Sequence, residues 1–393
     1  MACVVASPRA WPPISLRWIV ICRCPQRGSA ASVSKALPAK PKRFASVDAL
    51  RGLTVAAMLL VNNPGDWGHV YAPLLHSEWN GCTPTDLVFP FFLFIVGVSI
   101  ALGIVPRIEA GADPRPLRRA VWARGAKIIG LGVLLHLLAW WLMDKPAFRP
   151  LGVLPRIGIC FIAAGLLATA SRPRTQWVSI VVLLLGYWAV MAAGGSYEPF
   201  VNLASRVDTA LFGVHNYIYD AASGRGHDPE GLLSTLPSIA TTLLGLRAGD
   251  WLRHGETKRL PWFALVALAL GALWSLWFPF NKNLWTSSYV LWTAGWAALA
   301  LWLAHRLVDV RGWPALGRSF GVNAITAYAG SALMVYVFAG LGWSDPIYRV
   351  GFADWMTPLF GPYVPSLAFA LVFVLVWWGI VRWMDRRGWH WKV

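Results

Sequence analysis

The sequence predicts an all-α protein, a polytopic membrane bundle of about ten transmembrane helices with both termini cytoplasmic. Three observations predict it. Hydrophobic residues make up 57% of the chain and charged residues only 13%, against about 25% charged in soluble domains, and the mean hydropathy is +0.52. Ten apolar runs approach the roughly 20 residues a hydrocarbon core requires, and the gaps between them alternate between rich and poor in Lys and Arg, as cytoplasmic loops collect basic residues. Many of the 25 Trp fall near the ends of these runs, where interfacial belts place amphipathic rings.

Residues 1–43 come first. They are rich in Pro, Arg, Ser and Ala, with eight basic residues and no acidic one. The apolar piece at 14–22 is cut by Arg17 and is too short to span. The segment reads as a disordered basic tail or an over-extended translation start; no small-residue cleavage site follows an apolar region of the kind a secretory signal needs. Residues 44–393 then form the transmembrane domain. Its apolar runs cover 47–63, 84–105, 118–142, 151–171, 175–193, 232–252, 261–280, 285–305, 319–341 and 361–383.

The basic residues set the sides. Arg107, Arg115, Arg118 and Arg119 follow the second run, Arg172 and Arg174 the fourth, Arg253, Lys258 and Arg259 the sixth, and Arg306, Arg311 and Arg318 the eighth. The intervening gaps hold none at 64–83, then Lys145 and Arg149, Arg206 and Arg225 across 194–231, Lys282, and Arg349. The net charge of +17 therefore reflects membrane topology and the basic tail, which excludes nucleic acid as the partner. The five Cys show no metal or disulfide spacing, so no metal is expected; Cys82 is a nucleophile or a packed bystander.

Chemistry concentrates at 62–99. This stretch carries His69 and His76 with Asp66, Glu78 and Asp86, then plunges into the second run. Thr83-Pro84-Thr85-Asp86 is a helix start: Thr83 can cap, the missing N–H of Pro84 costs nothing there, and Asp86 occupies the capping-box position. A titratable imidazole at that rim, with Trp79 beside it, is what proton handling requires. The loop at 194–231, with Asp208, Asp220, Asp228, Glu230, His215 and His227, is long enough to be functional. Asn216, Tyr217 and Tyr219 make it a sugar-facing lid or a solvated loop.

Five blocks carry a resemblance: SVDALRG (46–52), LLHSEWNGCTPTDLVFPFFLFIVGVSI (74–100), DPEGLLSTLPSIATTLLG (228–245), FPFNKNLWTSSYVLWT (278–293) and GVNAITAYAG (321–330). In this order the chain resembles the heparan-α-glucosaminide N-acetyltransferase family of polytopic membrane acetyltransferases, in a form expected to be bacterial, inner-membrane and without the family's lumenal domain. The resemblance implies transfer of acetyl from cytoplasmic acetyl-CoA to an amino sugar of glucosamine type outside. It also implies that His76, which precedes the x-x-Trp-x-Gly, is the catalytic histidine.

The remaining candidates follow from that reading. Asn62 orients His76 or donates to the thioester oxygen, and Asp86 holds an imidazole tautomer or simply caps. Asp48 and Arg51 share a helix face; intramembrane charge is costly, so they form a structural pair or meet a CoA phosphate, with Asn323 on the same side. Trp79, Asn80, Asn281, Lys282, Asn283 and Asp228 are candidates for the sugar, although Lys282 can also snorkel. Arg156 is interfacial or a buried ligand for the acyl donor. The expected partners are acetyl-CoA, the amino sugar and the lipid bilayer, with a homodimer left open.

Two function classes compete. A transmembrane acyltransferase uses His76 as base or acetyl carrier. A proton-coupled transporter of a small polar solute would use His76, Asp86 and Asp48 as a relay, but the internal symmetry common in transporters is not visible.

Overall fold

The structure, a computed structural model, describes residues 44–391; the tail at 1–43 lies outside the described residues. Helices dominate: α1 (Ala45–Asn62), α2 (Val88–Gly103), α3 (Pro114–Leu142), α4 (Val153–Ala170), α5 (Pro173–Ala193), α6 (Leu203–Phe212), α7 (Thr235–Arg253), α8 (Arg259–Trp274), α9 (Ser287–Ala304), α10 (Arg318–Val322), α11 (Ala324–Gly340) and α12 (Tyr363–Arg386). Their starts follow local rules. Pro114 and Pro173 open α3 and α5, and the Asp113 side chain accepts from Arg115 N at 2.9 Å, satisfying a donor the helix cannot.

A helix occupies each of the ten apolar runs. Among the described residues, seven are long and apolar enough to cross a membrane alone: Ala45–Asn62, Thr85–Glu109, Pro114–Leu142, Val153–Ala170, Pro173–Ala193, Ser287–Val310 and Tyr363–Arg386. Such a chain is an integral membrane protein. The other three are instructive. Helix α8, with 16 residues, is about 24 Å long at 1.5 Å per residue. Helix α7 carries Arg247 and Asp250, buried in the bundle, and Arg253 at its end: Arg247 donates to Asp250 at 2.7 Å and to Gln176 at 3.1 Å, and Arg253 donates to Asp250 at 2.7 Å.

The third is the run at 319–341, which is not one helix. It breaks at Asn323 between α10 and α11, and α11 turns by 104° into a further helical stretch, Ser344–Phe360, where the sequence gives only a gap. Asp345, Arg349 and Asp354 interrupt its apolar pattern, yet Val350, Trp355, Leu359 and Phe360 are exposed. Such an amphipathic piece suits the membrane interface.

The centre of the bundle is α2 against α7. A Cβ on Gly97 would lie 1.9 Å from Thr242 O, and one on Gly245 would lie 1.9 Å from Phe94 O. The two backbones touch because neither glycine has a side chain, the small-residue packing of membrane helices. Helix α1 meets α10 in the same way, since a Cβ on Gly321 would lie 1.8 Å from Asp48 O.

The segment at 194–231 carries local structure. Asn202 caps α6 by accepting from Ser205 N at 2.8 Å. A short antiparallel hairpin follows, β1 (Ile218–Asp220) on β2 (Arg225–His227), with Tyr219 opposite Gly226.

Candidate active site

The site forms where the chain enters α2. Asp86, in the tight turn Thr85–Leu87, is 0% exposed. Its Oδ2 accepts from Thr83 N at 2.9 Å and Ser77 N at 3.1 Å, the backward half of a capping box, while the Thr83 hydroxyl turns to Leu75 O at 2.7 Å. Its Oδ1 meets His76 Nδ1 at 2.7 Å. One oxygen closes the turn and the other holds the imidazole. From α9, the Tyr289 hydroxyl donates to Asp86 O at 2.5 Å and fixes the turn from below.

A carboxylate that already accepts backbone N–H groups acts as an acceptor, so Nδ1 carries a proton, and in the neutral ring the lone pair is then on Nε2. Lys282 Nζ lies 3.0 Å from Nε2 and 3.2 Å from Nδ1. These near-equal distances place the ammonium over the ring rather than along either in-plane lone pair. The His76 side chain remains 44% exposed. His69, by contrast, is tied by Nδ1 to Asp66 at 2.6 Å and takes no part in this arrangement.

Lys282 sits on a turn fastened to the His76 loop. Phe280 O accepts from Gly81 N at 2.7 Å. Asn281, 1% exposed, donates to Asn80 Oδ1 at 3.1 Å and accepts from Leu284 N at 2.8 Å. Asn283 is half-buried on the same turn. Trp79 donates to Tyr197 O at 2.9 Å and sets its ring edge-on to His227 at 5.1 Å, which brings the outer segment to the site. Burial lowers the Lys282 ammonium from its usual range, against the pull of Glu230 and Asp86. Burial and the Asp86 charge push the Cys82 thiol up to about 12, so it is protonated and a poor nucleophile.

A second cluster stands beside Lys282. Arg149 grips Asp228 with two bonds of 2.8 and 2.6 Å and reaches Glu230 at 2.5 Å, with its guanidinium over the Tyr217 ring. Burial works to lower the Arg149 pKa, but Glu230 and Asp228 raise it on balance. Burial likewise works to raise Glu230, and the cations Arg149, Arg156 and Lys282 bring it down. Arg156, 1% exposed, donates to Gly231 O at 3.0 Å and to Ser234 Oγ at 2.5 Å. Its Nε and Nη1 find no partner among the described residues.

The sequence assigned Asp228 to the site but used Arg149 only as a topology marker and left Glu230 without a role. A basic residue in a gap otherwise poor in them, facing an acidic segment, was the available signal.

Asp48 and Arg51 pair at the other end of α1. Arg51 donates to Asp48 at 2.5 Å, to Gly321 O at 2.6 Å and to Ser99 Oγ at 3.4 Å, and the buried Asn323 follows two residues on. Asn62 is exposed at the opposite tip, about 16 Å along the helix from Arg51. Glu109, Asp250 and His254 lie close enough to share an ion, but Arg253 already occupies both carboxylates.

Against known proteins, the profile described as heparan-alpha-glucosaminide N-acetyltransferase, catalytic, matches residues 43–278. The chain belongs to the heparan-α-glucosaminide N-acetyltransferase family. It is 30% identical to heparan-alpha-glucosaminide N-acetyltransferase of Homo sapiens, over 78% of this chain and 55% of that protein. The Mus musculus protein of the same name is also 30% identical, over 75% of this chain and 54% of its own length. The chain thus spans about half the length of these curated relatives. His76, Asp86, Arg149, Asp228 and Glu230 fall inside the family profile, whereas Lys282, Tyr289 and Asn323 lie beyond its end.

Proposed function

We propose that this member of the family is a transmembrane N-acetyltransferase that moves acetyl from cytoplasmic acetyl-CoA to the amino group of an external amino sugar of glucosamine type. The observation that carries the reading is His76, half-exposed, with its Nδ1 held on the buried Asp86 carboxylate and its Nε2 left for the substrate. Nε2 takes the proton of the attacking amine as the thioester C–S bond breaks, or it carries the acetyl itself before the sugar receives it. Asp86 holds the tautomer and stabilises the imidazolium, and Asn62 donates to the thioester oxygen. Trp79, Asn80, Lys282 and Asn283 line the acceptor side; Asn281 and Asp228, both buried, shape it by holding Asn80 and Arg149.

Donor recognition is assigned to Arg51, with Asp48 orienting it and Asn323 beside it, so that CoA enters from the cytoplasm at one end of α1 and the sugar waits at the other. This requires all ten helical runs to cross a bacterial inner membrane with both termini inside. The Lys and Arg alternation supports that, together with a helix in every run. Incubation of the purified protein with labelled acetyl-CoA and a panel of amino sugars tests the reading. Label should move to the sugar amine in the parent and not in His76→Ala. Solute uptake driven by a proton gradient, without acetyl transfer, would put the transporter reading in its place.

A further inference from the structure

We propose that Lys282 is an internal acetyl acceptor, a self-modification site that competes with the sugar. The inference rests on the acetyltransferase reading given above. Its basis is geometric: the acceptor sugar must bring a primary amine to His76 Nε2, and the chain already holds one over the ring, with Lys282 Nζ 3.0 Å from Nε2 and 3.2 Å from Nδ1, a rotation of the lysine stem away from the Nε2 lone pair. The turn beneath it is fixed by Asn281 and by the bond between Gly81 and Phe280, while the lysine stem above stays flexible.

The chemistry balances without any further reactant. Neutral Lys282 Nζ attacks the acetyl carbon, forming an amide C–N bond. If acetyl is still on CoA, the C–S bond breaks, His76 Nε2 takes the amine proton, and that proton goes on to the departing thiolate. If acetyl is on His76, the C–Nε2 bond breaks and the departing Nε2 takes up the proton that the amine loses. Only uncharged amine attacks, and burial moves Lys282 toward that form while Glu230 and Asp86 hold it back. Other nucleophiles at the site are quiet: Cys82 stays a thiol, the Thr83 hydroxyl is spent on Leu75 O and the Tyr289 hydroxyl on Asp86 O.

The product has consequences for the site. An acetamide on Lys282 removes a positive charge beside His76 and fills the place the sugar amine needs. Enzyme left with acetyl-CoA and no sugar should therefore inactivate itself, and sugar should protect it.

The test is to incubate the full-length purified protein with labelled acetyl-CoA, with and without saturating glucosamine, then treat it with hydroxylamine and map the peptides. Hydroxylamine strips acetyl-imidazole and leaves an amide. The expected result is stable label on Lys282 that grows as activity falls, is suppressed by glucosamine, and is absent from Lys282→Arg. Normal glucosamine acetylation with Lys282 unmodified would overturn this inference and leave the acetyltransferase reading standing. Equal labelling of Lys282 in His76→Ala would reduce it to uncatalysed acetylation and overturn it as well. Failure of both sugar and lysine to take up acetyl would remove the reading beneath it.

Discussion

Asp86 and His76, ten residues apart in sequence, share a 2.7 Å hydrogen bond at the mouth of α2. The same carboxylate accepts from Thr83 N, so the pair is locked to the helix start. A positioned base contributes about 10²–10⁴ in rate, and His76→Ala should lose that much kcat. Asp86→Asn keeps the turn but offers Nδ1 a donor in place of an acceptor, which favours the wrong tautomer, so it should also lose at least about 10². His69→Ala should remain within about threefold of the parent, because His69 is engaged with Asp66 and the Tyr363 ring and not with the His76–Asp86 pair; steady-state acetylation of glucosamine by the three variants checks all of this.

Arg51 is the donor-side prediction. Arg51→Ala should weaken acetyl-CoA binding by about 1.5–3 kcal/mol, the worth of a hydrogen bond to a charged group, and leave sugar affinity nearly unchanged. Calorimetry reads it directly. An unchanged acetyl-CoA affinity would return Asp48 and Arg51 to a structural pair.

The contact of α2 with α7 sets a packing prediction. Gly97→Ala places a methyl 1.9 Å from Thr242 O, and overpacking of this kind costs about 1–3 kcal/mol. Gly130→Ala in α3, where nothing lies within 4 Å, should be neutral or stabilising by about 0.5–1 kcal/mol. Thermal unfolding in detergent should lower the midpoint for the first variant only.

The outer segment contains a titration of known sign. Burial raises Asp208 from 3.8 to about 6, so the folded state holds its proton more tightly than the unfolded chain. Stability from this group is complete below its unfolded value and is lost as pH rises through about 6. Burial lowers His227 to about 4; there the unfolded chain binds the proton more tightly, and stability is lost as pH falls from the usual imidazole range toward that value. The two oppose each other over much of one window. Asp208→Asn should expose the His227 slope alone, so that the stability of the variant rises more steeply with pH between about 4 and 6. Unfolding midpoints across that range decide it.

Topology gives the last prediction. Cysteines at positions 110, 225 and 255 should separate cleanly, with only the 225 site reacting with an impermeant reagent from outside. Reaction at 110 or 255 in intact cells would sink the assignment of sides.

Much of this arrangement was legible because short-range signals carry it. The apolar runs announce the helices, and Thr83-Pro84-Thr85-Asp86 announces the start of α2 through capping chemistry alone. Arg149 with Asp228 and Glu230 was not legible as a cluster, since its members stand some eighty residues apart and only the fold of the outer segment closes that gap. Arg156 showed itself as a charge in an apolar run, but its bonds to Gly231 and Ser234 required the tertiary structure. Ser344–Phe360 was hidden because its charged residues break the pattern that marks a span, while a helix lying along an interface needs only one apolar face.

The Gly81 to Phe280 bond and the Asn281 to Asn80 bond join the two loops that carry His76 and Lys282. The two loops therefore form one cap, seated on α2 through the Asp86 turn and on α9 through Tyr289. A thinner or thicker bilayer would tilt those helices and change the distance between the two mouths of the bundle, yet leave the join between the two loops intact. Host lipid length should accordingly act on the affinity for the donor, and the chemical step at the cap should not feel it.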